Sequence, residues 1–298
     1  MTEAALYVFA EAAAPHAHKL ARRLGIPAHP AELHRFPDGE IKLRLAPAAR
    51  TCLLYLPLDR PNEKLIALVL AAESLRRGGA QRLVLVAPYL CYMRQDAAFQ
   101  EGEAVSQRTI AGLIGRYVER VVTIEAHLHR TRCLKAIFPT IEAANINAAP
   151  AMAEALHGSI DPQTVIVGPD EESRPWVEDL ARRLNLASTT GRKERGGDDS
   201  VAISILDSKR LRGRPALIVD DIVSTGATLA ECAAAVRSAG ALPIDAIVTH
   251  ALFAAEEMQR FACAGIRTVR SAETVPHPSN AIPVDSLLAA ALQAEVLR

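Results

Sequence analysis

The chain has 298 residues, half of them hydrophobic, with 34 basic and 34 acidic side chains. That length suits about two domains of ordinary size and supplies the apolar material for a proper core, which excludes intrinsic disorder. A formal net charge of zero argues against a general nucleic-acid binder, whose domains usually carry a basic excess. The longest apolar run, Leu83 to Met93, is shorter than the roughly 20 residues that span a bilayer. Glu3 and Glu11 interrupt the N-terminal stretch, which also lacks a basic n-region, so no membrane segment or leader is expected. Five cysteines, at 52, 91, 133, 232 and 263, show no CxxC pair and no metal-ligand spacing. The spacing reads as buried small hydrophobes in a reducing cytoplasm.

Short β-branched and Leu-rich runs alternate with helical patterns along the chain. The expected strands in the first half are Leu6–Phe9, Cys52–Leu56, Leu83–Ala87 and Val121–Glu125. A helix opens at Pro61-Asn62-Glu63, with Leu65, Ile66, Val69 and Leu70 on one face, and closes at Gly78-Gly79. A second runs from about Glu103 to Arg116. Asn147-Ala148-Ala149-Pro150 then breaks the pattern and marks a domain boundary. Beyond it come strands Thr164–Val167, Ala216–Asp220, Ile244–Thr249 and Thr268–Arg270, with helices Arg174–Leu184 and Thr228–Ala239, the latter stopped by Gly240. Several strands are continuous apolar runs, as parallel strands covered on both faces require. The alternation predicts an α/β fold with mainly parallel sheets.

The strongest chemical signal runs from Ala216 to Thr228. A buried strand delivers Asp220 and Asp221 to its C-terminal end, where open α/β sheets bind ligands. Ser224, Thr225 and Thr228 then offer hydroxyls beside helix N-terminal amides, and Gly226 allows close backbone approach to an anion. The segment reads as a phosphate cradle flanked by acids that accept ribose hydroxyls or hold Mg2+, directly or through water. A strand-end Asp capping a helix is the plainer reading; the complete string outweighs it. The string resembles the phosphoribosyl-diphosphate loop of the type I phosphoribosyltransferase fold, which serves both enzymes that consume that compound and enzymes that make it.

Further segments separate the two. Phe36-Pro37-Asp38-Gly39-Glu40-Ile41 resembles the early motif of ribose-phosphate diphosphokinases. Pro88 to Asp96, followed by Phe99, Gly102-Glu103 and Ser106, is similar to their ATP-site segment. Thr123 to His127, Gly168-Pro169-Asp170, Lys193-Glu194-Arg195 and Thr249-His250 follow in the family's order. The resemblance implies two similar phosphoribosyltransferase-like domains, residues 1–148 with the ATP segments and 149–298 with the ribose 5-phosphate loop and a flexible catalytic loop. It implies ATP contacts from Phe36, Asp38, Glu40, Arg94, Gln95, Asp96 and His127, with Phe36 reaching the nucleotide across a subunit interface of a homo-oligomer. Ribose 5-phosphate would be held by Asp220, Asp221, Ser224, Thr225, Gly226 and Thr228. His127 and Asp170 would serve Mg2+, although a lone histidine is more often structural and His129 lies close by. Lys193 and Arg195 would close on the transition state; without the resemblance, residues 191–199 read as an exposed hairpin tip.

The chain departs from the family's wording at Glu125, where better-known members have Asp. It also reads Glu171-Glu172-Ser173-Arg174 where they carry a glycine pair. Added carboxylates are poor company for a phosphate, although Arg174 can compensate. The expected activity is Mg2+-dependent transfer of the diphosphoryl group of ATP to the 1-hydroxyl of ribose 5-phosphate, in the cytoplasm. The alternatives are a phosphoribosyltransferase, which leaves Arg94-Gln95-Asp96 unexplained, and a catalytically silent homologue, which Glu125 and the missing glycines favour.

Overall fold

The computed structural model describes residues 3–297 except 99, 129, 132 and 197–199, with only the backbone at 193–196 and 200–202. Two compact units form. One comprises residues 1–146, 274–276 and 284–298, the other residues 147–273 and 277–283. No helix among the described residues is long and apolar enough to cross a membrane.

The first unit runs β1 (Ala4–Val8), α1 (Ala14–Leu24), β2 (Ala28–Pro30), β3 (Glu32–Arg35), β4 (Ile41–Arg44), β5 (Thr51–Tyr55), α2 (Pro61–Arg77), β6 (Arg82–Val86), α3 (Ser106–Ile114), β7 (Arg120–Ile124), α4 (Leu134–Ile137) and β8 (Glu142–Ile146). Its main sheet has the order β2-β1-β5-β6-β7-β8, and every pairing is parallel. β1 and β5 are buried at every position, which is why their sequences show no polar alternation. α1 buries Ala17, Leu20, Ala21 and Leu24, the spacing of one helical face. β3 and β4 form a separate antiparallel hairpin.

The second unit runs α5 (Ala149–Leu156), β9 (Val165–Gly168), α6 (Arg174–Leu184), β10 (Ala187–Gly196), β11 (Ser200–Ile205), β12 (Ala216–Val223), α7 (Ala227–Ser238), β13 (Ile244–Ala251), α8 (Glu257–Cys263), β14 (Ile266–Ala272) and β15 (Asn280–Ile282). Its sheet has the order β11-β10-β9-β12-β13-β14-β15. All pairs are parallel except β10 with β11. Val165, Val167, Ile218, Val248, Leu229, Val236 and Phe261 belong to its core.

The last helix, α9 (Asp285–Val296), belongs to the first unit, so the two units are not simply consecutive halves of the chain. Glu295 on α9 has a fully buried side chain. It accepts hydrogen bonds from Arg120 at 2.7 Å and Arg82 at 3.0 Å, at the starts of β7 and β6. Burial alone would raise the Glu295 pKa, but the two guanidiniums hold it below the ordinary glutamate range. The cysteines depart from expectation. Cys52, Cys91 and Cys232 are buried, but Cys133 and Cys263 are exposed, one just before the short α4 and the other the last residue of α8.

Candidate functional site

In the second unit, β9 connects through α6 to β10 on one side, and β12 connects through α7 to β13 on the other. The switch in direction falls between β9 and β12, and the crevice beyond their C-terminal ends is where such sheets bind ligands. The residues read from sequence as the phosphate loop stand there. β12 pairs with β9 only as far as Ile218 opposite Val167, then continues to Val223 along β13 alone. The acids therefore lie inside the last part of the strand rather than at its tip. Successive strand side chains point to opposite faces, so Asp220 is half-buried and Asp221 buried at 7 % exposure. The Asp220 carboxylate accepts the Asp221 amide at 3.0 Å, and that of Asp221 accepts the Ile222 amide at 2.8 Å.

Gly226, in the left-handed region with φ 75°, is the N-cap of α7 and makes no side-chain cap hydrogen bond. Ser224 and Thr228 are half-buried and Thr225 is exposed. A cap of this kind leaves first-turn amides directed outward with hydroxyls around them, an arrangement suited to phosphate.

The neighbouring turn after β9 differs. Asp170 accepts the Ser173 amide at 3.1 Å and so caps the turn of Glu171–Ser173 that opens α6. A Cβ on Gly168 would stand 1.9 Å from Ser173 Oγ and 2.9 Å from a Val177 methyl. Only glycine allows α6 to sit this close to β9. Glu171 lies between Arg192, at 3.5 Å, and Arg174, at 3.8 Å. The hairpin of β10 and β11 begins beside this turn, because a Cβ on Gly191 would come within 2.5 Å of the Pro169 carbonyl oxygen. Lys193 and Arg195 occupy alternate positions on β10, opposite Ile203 and Val201. Their side chains, and Gly197, Asp198 and Asp199, lie outside the described residues.

In the first unit, the segments after β6 and β7 stand together at one end of the sheet. Arg130 joins them, donating to the Asp96 carboxylate from its guanidinium at 2.7 Å and its amide at 3.1 Å. Burial would raise the Asp96 pKa, but these bonds overrule it and hold the carboxyl below its usual range. Gln95 accepts from Ser106 Oγ at 2.9 Å. Arg94 is exposed and His127 half-buried; Phe99 and His129 lie outside the described residues. Just before His127, Glu125 adopts a left-handed conformation, φ 38°.

Phe36, Asp38 and Glu40 form the tip of the β3–β4 hairpin. Phe36 is 40 % exposed, and Asp38 accepts the Glu40 amide at 3.0 Å, an ordinary Asx turn. The first turn of α2 links this hairpin to the Arg94 segment. Glu63 pairs with Arg35 at 2.7 Å, and Asn62 accepts from the Tyr92 hydroxyl at 2.6 Å. Sequence reasoning missed Arg130, Arg192 and the residues of α8 that touch the phosphate loop. Arg130 meets Asp96, Arg192 meets Glu171 and the α8 residues meet the loop only through the fold, and none carries a local motif.

Among the described residues, no group of three or more His, Cys, Asp or Glu side chains gathers as a metal cage. Mg2+ needs none, since it is commonly held by one or two carboxylates together with substrate phosphates and water. The half-buried Asp220 and the capping Asp170 are hard oxygen donors on either side of the switch point, and they fit that mode.

A hydroxyl-rich, uncapped loop past the switch point of a parallel sheet defines an α/β protein of the phosphoribosyltransferase class, and residues 141–280 match the phosphoribosyl transferase domain. Residues 6–117 match the N-terminal domain of ribose phosphate pyrophosphokinase. The chain is 30% identical over 278 residues to a ribose-phosphate pyrophosphokinase of Methanopyrus kandleri, covering 92% of this chain and 94% of that one. Its identity to the Methanosarcina acetivorans enzyme of the same name is 31% over 281 residues, covering 93% and 95%. The fold is that of a phosphoribosylpyrophosphate synthetase from Mycobacterium smegmatis, with a TM-score of 0.83 at 23% identity over 97% of this chain and 98% of that one. The chain belongs to the ribose-phosphate pyrophosphokinase family.

Proposed function

We propose that this chain makes 5-phosphoribosyl 1-diphosphate and AMP from ATP and ribose 5-phosphate with Mg2+. The uncapped Gly226 loop beside Asp220 carries the reading, supported by family membership over nearly the whole chain. The amides and hydroxyls of residues 224–228 hold the 5-phosphate, donating to its oxygens. Asp220 accepts ribose hydroxyls on its open face, while Asp221 fixes the strand end that presents them. Arg94, Gln95 and His127 bind ATP in the first unit, and Asp96 shapes that segment through Arg130. Mg2+, when bound, would neutralise triphosphate charge, with Asp170 and Asp220 the residues offered to it in the second unit and His127 in the first.

The 1-hydroxyl oxygen of the ribose attacks the β-phosphorus of ATP in line. The bond from that phosphorus to the oxygen bridging the α-phosphorus breaks, AMP leaves, and the hydroxyl proton is released. Charge develops on the transferring oxygens, and Lys193 and Arg195 on the β10–β11 hairpin stabilise it. The chain works as a cytoplasmic homo-oligomer, in which the exposed Phe36 tip, with Asp38 and Glu40, reaches the nucleotide of a neighbouring subunit. Lys193→Ala should lower turnover by a factor of about 10² to 10³ while leaving ribose 5-phosphate binding nearly unchanged in a direct titration. Equal losses in both would contradict the role given to the hairpin.

A further inference from the structure

The phosphate loop rests on an aromatic ring that none of its motifs contains. A Cβ on Gly226 would meet the Phe261 ring at 2.5 Å and 2.6 Å. The glycine backbone therefore lies directly against that ring, and the ring fixes how far the loop can sink toward the core. Phe261, on α8, is 1 % exposed. Its edge packs against Phe253, with centroids 5.1 Å apart and planes at 84°. Phe253 in turn meets the His277 ring at 4.4 Å and 65°.

His277 is held at both nitrogens. Nδ1 accepts the Ser279 amide at 3.1 Å, which leaves Nε2, 3.1 Å from the Phe253 carbonyl oxygen, to carry the proton and donate. Ser279 Oγ is bonded to Ser271 Oγ at 2.7 Å, so the stack is tied to the end of β14. Arg260, the residue before Phe261, reaches the Thr225 carbonyl oxygen at 3.4 Å. Two successive residues of α8 thus touch two successive residues of the loop.

We infer that Phe261 is a positioning residue for the ribose 5-phosphate loop, backed by Phe253 and His277. The inference rests on the reading of residues 224–228 as the 5-phosphate cradle. Phosphate amide donors act through distance and angle, and a loop that settles by a fraction of an ångström into vacated space loses both. Shrinking the ring should weaken sugar-phosphate binding selectively, since the proposed ATP residues belong to the other unit.

The test compares Phe261→Leu and Phe261→Met, each of which replaces the ring with a smaller side chain, with Val269→Ala, a truncation in the same core cluster that lies on β14. All three are assayed for KM of ribose 5-phosphate, KM of ATP, kcat and Tm. Both Phe261 variants are expected to raise KM for ribose 5-phosphate about tenfold, with KM for ATP within about twofold of wild type. Val269→Ala should lower Tm without that split. Equal changes in the two KM values, or the same split in Val269→Ala, would overturn the inference, leaving Phe261 as core packing only. A wild-type protein without saturable ribose 5-phosphate dependence would overturn the loop's assignment, and the inference with it.

Discussion

β9 and β12 are neighbours in one sheet, and each ends in a short turn and a helix N-terminus, but the two turns use their donors differently. After β9, Asp170 takes the Ser173 amide, and Glu171 stands between Arg174 and Arg192. After β12, the N-cap of α7 is a left-handed glycine, which makes no side-chain cap bond. A helix N-terminus is available to an external anion only where the chain withholds its own carboxylate. The acids of β12 lie within the strand, where each carboxylate accepts the next residue's amide. The first turn therefore spends an amide on its own chain, and on the reading proposed above the second is the one offered to a phosphate.

The comparison breaks first at the open turn. Removing its hydroxyls in Ser224→Ala/Thr228→Val should raise KM for ribose 5-phosphate by roughly 100-fold, because bonds to a charged group contribute about 1.5–3 kcal/mol each. The Tm should scarcely move, since neither hydroxyl fills the core. A large Tm loss with unchanged KM would reverse the roles given to the two turns.

Next in size, Gly168→Ala drives a methyl into Ser173 and Val177 and should destabilise the second unit by about 1–3 kcal/mol, read as a lowered Tm. Asp170→Asn is the sharper probe. Asn caps a helix about as well as Asp, so stability should hold, while the Mg2+ concentration needed for half-maximal rate rises about tenfold with the lost charge. An unchanged Mg2+ requirement would reduce Asp170 to a cap. The smallest effect belongs to Glu171→Gly. Its two ion pairs are exposed at every member, and such pairs contribute about 1 kcal/mol or less. Denaturant titration should show a stability change within that range.

The sequence was most legible where burial is greatest. The strands near 52, 83, 121, 165, 216 and 244 and the helix Arg174–Leu184 appear because continuous apolar runs and end signals leave little else to do. The hairpin of β3 and β4, the edge strands β2 and β15, and most of β10 and β11 did not. These strands are short, or mix polar with apolar residues, and long-range pairing, not local pattern, makes them strands. α9 escaped notice because its partners are Arg82 and Arg120, more than 170 residues away. The segment proposed as the phosphate loop is legible as a unit because its parts are consecutive, a strand end followed by hydroxyls and a glycine. Asp96 gains a partner the sequence does not show, because Arg130 lies on the next strand's loop and carries no motif of its own. Phe261 was invisible for the same reason: a ring supports Gly226 only once β13 and α8 have folded back beneath it.

The most direct measurement is AMP release from the purified protein with Mg-ATP, in the presence and absence of ribose 5-phosphate, with the product identified by mass. AMP formed only with the sugar phosphate, and matched one for one by 5-phosphoribosyl 1-diphosphate, is the expected result. No AMP from a folded protein that binds ATP would contradict the synthetase reading. Glu125 and residues 171–173 would then be the changes that silenced it.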